Sequence, residues 1–177
     1  MHNPVHCSAG FFLEEERSGL WYLLGIFLDF DAVKLPTFKS VAGEKDAHDL
    51  MVRFFRGLGL GLGESKSLAE VSGFFREADR FRERLGEGEG EVLKISHTIM
   101  GSQGMIPPLA RLSVGQAEVI EHGGKERLCG FWKLDDFFSK SDEETRRLLR
   151  PMMPHMIENR RFLQANSRFI LDLNKSR

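Results

Sequence analysis

Tyrosine is nearly missing from this chain of 177 residues: there is one, against 15 phenylalanines. A buried Tyr must find a partner for its hydroxyl and a Phe need not, so the aromatic residues point to a dry core. Cysteine is scarce too. Cys7 and Cys129 make no disulfide framework and read as reduced thiols. Neither sign of charge dominates: 25 Lys and Arg stand against 26 Asp and Glu, a net of −1. That balance excludes strong whole-molecule steering toward nucleic acid or an anionic membrane. No apolar run reaches spanning length. The longest early uncharged stretch, 18–28, is short and follows Glu14-Glu15-Glu16-Arg17, where a secretory signal has a basic start. A cytoplasmic protein is the expectation.

Eight of the phenylalanines form four doublets, Phe11-Phe12, Phe54-Phe55, Phe74-Phe75 and Phe137-Phe138. An apolar fraction of 41% suffices for one packed domain over 1–177. Within it, 1–10 reads as a loose N-terminus. Over 11–30 the spacing of Phe12, Leu13, Leu20, Leu23, Leu24, Phe27 and Leu28 predicts a helix, weakened by Gly19 and Gly25. Ala47, Leu50, Met51, Phe54, Phe55 and Leu58 recur as a helical stripe. A third helix is predicted from Ser65 or Ser67 to Leu85, with Arg76, Arg80, Arg82 and Arg84 among acids on its polar face. Glycines and glutamates at 86–90 then read as a flexible internal linker.

The second half shows a change of period. Residues 92–100 suit a strand or a short helix, and 109–114 look extended. Two runs around Gly123-Gly124 predict a hairpin over about 116–133. Ser141 followed by Asp142, Glu143 and Glu144 is a helix start. Pro151 and Pro154 break or kink that helix, and a long C-terminal helix carries Met156, Ile157, Phe162, Leu163, Ala165, Phe169, Ile170 and Leu173. The expected fold class is therefore α+β, mainly helical with a small antiparallel sheet. Leu50, Phe54, Phe74, Phe81, Phe131, Phe162 and Phe169 are the expected core.

No complete catalytic constellation can be assembled. The glycines at 57, 59, 61 and 63 lack both the dinucleotide spacing and the phosphate-loop Gly-Lys-Ser/Thr, and read as a helix terminator. His48-Asp49 lacks the further ligands of a metal hydrolase. His2, His6 and Cys7 sit in the segment read as loose, so no metal site is assigned there. Asp29/Asp31 and Asp135/Asp136 stand at element ends with no partner base. From residue 142 onward eight basic residues face five acids, too small an excess for a nucleic-acid partner.

What is left is apolar surface. Adjacent side chains on a helix point about 100° apart, so one Phe of each doublet is pushed to the edge of its stripe. The leading expectation is thus a non-enzymatic interaction or regulatory domain acting through apolar helical surfaces. It would work as a homodimer or with a protein partner, through an interface at Phe162, Phe169 and Leu173. The alternative is a sensory or carrier domain holding haem or another apolar small ligand in a Phe/Met-lined pocket at Met152, His155 and Met156. The sequence names no cofactor and leaves catalysis open.

Overall fold

In the computed structural model of the chain, residues 5–29, 32–40, 75–85, 92–106, 110–113 and 126–175 are described. They form eight strands followed by a helical C-terminal quarter. The strands are β1 (Val5–Glu15), β2 (Trp21–Asp29), β3 (Ala32–Lys34), β4 (Thr37–Ser40), β5 (Phe75–Leu85), β6 (Val92–Gln103), β7 (Ala110–Ser113) and β8 (Glu126–Lys133). The helices are α1 (Leu134–Lys140), α2 (Glu143–Leu149), α3 (Met153–Ile157) and α4 (Arg160–Lys175), with a 3-10 turn at Arg150–Met152 between α2 and α3.

The sheet runs β5-β6-β1-β2-β8-β7, with β3 beside β2 and β4 beside β1. It is mixed: β1 and β6 pair in parallel from Val5↔Leu93 to Glu15↔Gln103, and the other neighbours are antiparallel. β1 and β2 lie at its centre and are buried on both faces. Phe11 and Phe12 are both fully buried, yet they look opposite ways. Phe11 meets Phe75 edge-on at 5.8 Å, whereas Phe12 meets Phe162 of α4 at 6.4 Å. A strand sends successive side chains to opposite faces, so a doublet serves two cores at once.

The mainly helical reading is therefore overturned. A strand buried on both faces is a nearly continuous apolar run, and such a run satisfies helical spacing by accident. The helix predicted over 11–30 is β1, a turn and β2. Gly19, at φ 71°, closes that turn with its amide on the Glu15 carbonyl at 2.8 Å, a left-handed conformation that suits glycine. The N-terminus expected to be loose supplies most of β1. The charged end of the predicted third helix is β5, an edge strand whose alternating Arg and acids guard against unwanted pairing. β8 does end at Lys133, but it pairs with β2 and with β7. The stripe at 47–58, the glycines at 57–63, the linker at 86–90 and the first arm of the hairpin at 116–125 lie outside the described residues.

All four helices pack on one face of the sheet. Their shared core joins Phe12, Trp21, Leu23, Leu35, Phe137, Met152, Met156, Phe162, Phe169 and Leu173. α2 starts one residue later than expected: its cap is Asp142, whose carboxylate accepts the Thr145 amide at 2.8 Å. Burial pushes the Asp142 carboxyl up, but the Thr145 hydrogen bonds together with Lys34 outweigh it and hold the carboxyl below its ordinary value. A lowered carboxylate stabilises the fold above the unfolded value and loses that contribution as pH falls through the folded one. Asp142→Ala should thus cost about 1 kcal/mol near neutral pH, and the gap to the parent should narrow below about pH 4. Thermal melts at the two pH values check this; a gap that stays constant would mean the charge contributes nothing.

Candidate functional site

A cleft of about 540 Å³ opens between the helical face of the sheet and the α3–α4 junction. Register explains its floor. Arg76 lies opposite Met100, Glu14 beside Ser102 and Glu14 opposite Trp21. Four strands, β5, β6, β1 and β2, thus place side chains in two neighbouring rows. His155 of α3 and Asn159, just before α4, form the other wall, and Glu77, Ala78 and Gly101 complete the lining.

The cleft combines an apolar base with polar groups. The Trp21 indole is buried and packs edge-on against Phe162 at 5.3 Å, and Met100 is half-buried beside it. The Trp21 indole N–H meets no acceptor among the described residues. Glu14 is mostly covered and pairs with Arg161 at 3.1 Å. The Asn159 side-chain oxygen caps α4, accepting the amides of Arg161 at 3.0 Å and Phe162 at 3.3 Å. That fixes the side chain, and its NH₂ group, which meets no acceptor among the described residues, can donate. The Ser102 hydroxyl donates to Glu16 at 3.1 Å. Arg76 and His155 are exposed. The chemistry on offer is recognition: a guanidinium, an imidazole, an amide donor and a carboxylate above an aromatic and thioether base. Among the described residues no group of three His, Cys, Asp or Glu side chains is placed to hold a metal.

Of the ligand-binding trio read from sequence, only His155 lines this cleft. Met152 and Met156 are fully buried in the shared core. Met152 sits against Gly10, where a Cβ would come within 2.8 Å of its sulfur, and its carbonyl accepts the Thr98 hydroxyl at 3.1 Å. The Phe/Met-lined apolar pocket is thus a filled core, which Met suits well. Phe162, Phe169 and Leu173, expected to meet a partner, are buried in the same chain at 0%, 1% and 2% exposure. The interaction and regulatory reading falls with them, because the interface it rests on is interior among the described residues. Phe131 is buried as expected, whereas Phe81 is 43% exposed; Leu50, Phe54 and Phe74 lie outside the described residues. Asp135 and Asp136 are exposed in the first turn of α1, where acids suit the positive helix end. Glu14, Trp21, Arg76, Met100, Ser102 and Asn159 had no signal in the sequence, since only strand register and the junction of α3 with α4 bring them together.

On the opposite face of the sheet, His97 is buried and its Nδ1 lies 2.6 Å from Glu77 Oε1. This contact ties edge strand β5 to β6 beside the register shift between Glu77 and Asp79.

No protein-family model matches the chain, and no curated protein matches it. The solved structures that it matches, at low similarity, include two Nudix proteins. The NUDIX domain of Shewanella oneidensis NrtR complexed with ADP ribose is 10% identical at a TM-score of 0.47, over 85% of this chain and 86% of that one. A MutT/nudix family protein from Enterococcus faecalis is 11% identical at 0.36, over 100% and 76%. The T. brucei MERS1-RNA complex is 11% identical at 0.33, over 98% and 64%. No helix among the described residues is long and apolar enough to cross a membrane.

Proposed function

We propose that the chain binds a small molecule in the cleft, one with a planar ring, hydroxyls and an anionic group. The observation that carries this reading is the pairing of Trp21 and Met100 at the base with Arg76, Ser102, His155 and Asn159 around them. The volume falls in the range of small-molecule sites, which are apolar at the base with a few placed polar groups. A ring buries against Met100 and the indole. Hydroxyls meet Ser102 and the Asn159 amide, and the anion meets the Arg76 guanidinium, which has no ion pair among the described residues.

Adenosine monophosphate and ADP-ribose, the molecule in one of the similar structures, are suitable first probes for isothermal titration calorimetry. Arg76→Ala should weaken binding by about tenfold, the value of one hydrogen bond to a charged group, and Asn159→Ala by less, the value of a neutral one. Arg168→Ala, exposed on α4 away from the cleft, should leave it unchanged. Equal affinity for the parent and the Arg76 variant would reject the cleft as the site.

A further inference from the structure

A second, smaller pocket lies on the same face of the sheet, beyond the crossing of the 3-10 turn. The turn passes over β6 where the Thr98 hydroxyl donates to the Met152 carbonyl at 3.1 Å. Met100 and the cleft lie to one side of that crossing, and Ser96 to the other. The pocket of about 300 Å³ is lined by Phe81, Glu83, Lys94, Ser96, Arg147, Leu148 and Pro151.

Its composition is unusual for a plain surface dent. Phe81 and Ser96 are register partners, as are Glu83 and Lys94, so β5 and β6 present all four side chains to one side. Phe81 exposes 43% of its surface, although it stands in a strand of charged residues. Its ring is one of few large apolar groups among the described residues that face water. Ser96 is 5% exposed and shares a hydrogen bond with Ser8 at 3.2 Å, giving the pocket a buried polar floor. Lys94 has Glu83 opposite it, and Arg147 adds a second cation with no further carboxylate among the described lining residues. The described lining therefore carries one net positive charge beside an exposed aromatic ring and two apolar side chains.

We infer that this pocket is a binding site for a small aromatic monoanion. Its ring would lie on Phe81 between Leu148 and Pro151, and its anionic group would reach Arg147 and Lys94. An exposed ring and a cation at one pocket favour an aromatic anion twice, by area removed from water and by a charged hydrogen bond. This site is separate from the cleft and does not depend on the cleft's ligand.

The test uses benzoate and benzenesulfonate as probes, with benzylamine as the cationic counterpart, in ligand-observed NMR titrations of the whole chain. Both anions should bind and benzylamine should not. Arg147→Gln and Phe81→Ala should each weaken the anions by about tenfold. Both residues are solvent-accessible, so the thermal midpoints report whether the variants stay folded. Benzylamine binding as well as benzoate would overturn the assignment, as would no binding of either anion at millimolar concentration. Loss through Arg76→Ala with Arg147→Gln unaffected would put the probe in the cleft and overturn it too.

Discussion

Phe12→Ala should lower the stability of the fold by about 3–5 kcal/mol, and Phe11→Ala by a similar amount. Both rings are fully buried, and each fills a different core: Phe11 against Phe75, Phe12 against Phe162. Truncation leaves a cavity on one face in each case, so neither loss relieves the other. Guanidinium unfolding of the two single variants and the double variant measures this. A helix through this segment would push one ring to the edge of its stripe, and that variant would then lose little. One near-neutral substitution of the pair would contradict the two-sided strand.

Gly25→Ala is the second large effect. Gly25 sits in β2 opposite Gly130, and an added Cβ would lie 2.5 Å from Val33 Cγ2 and 2.7 Å from Phe137 Cε2. Both neighbours are fully buried, so neither can swing into solvent. Overpacking of this kind costs roughly 1–3 kcal/mol. The Gly25 carbonyl also accepts the Trp132 indole N–H at 3.3 Å, so a backbone shift there carries a second loss. A Phe137→Leu change placed on Gly25→Ala should recover part of the deficit by making room. If Gly25→Ala melts with the parent, α1 does not press on β2 as described.

The C-terminal quarter is readable because its signals are local. Acids after a capping position, prolines at 151 and 154 and an amphipathic stripe at 162–173 each act within one or two turns of chain, and α2, the 3-10 turn, α3 and α4 follow them. Even there the cap shifted from Ser141 to Asp142, since neighbouring polar residues can do the same work. The first two strands are hard to read for a physical reason. β1 and β2 bury both faces, which removes the period-two alternation that marks a strand. Phe11-Phe12 and Leu23-Leu24 look the same in sequence as two residues of a helical stripe. β5 departs in the opposite sense: its charges belong to an edge, and its exposed ring, Phe81, has the spacing of a core position.

The cleft was hidden more deeply. Arg76 and Met100 are 24 positions apart and meet only through register, as do Glu14 and Ser102. No motif links them. Met152, His155 and Met156 are close in sequence, yet of the three only the exposed His155 reaches the cleft.

The chain has two tryptophans, and they separate the cleft from the rest of the fold. Trp21 forms the cleft's base, while Trp132 donates to the Gly25 carbonyl and lies beneath Lys140 at 5.5 Å. A ¹⁵N spectrum therefore holds two indole N–H signals, assignable by Trp132→Phe. Titrated with adenosine monophosphate, the Trp21 signal should move in a saturable way while the Trp132 signal stays in place. A Trp21 signal that does not move at millimolar probe, or a shift confined to Trp132, would contradict a ligand held in this cleft.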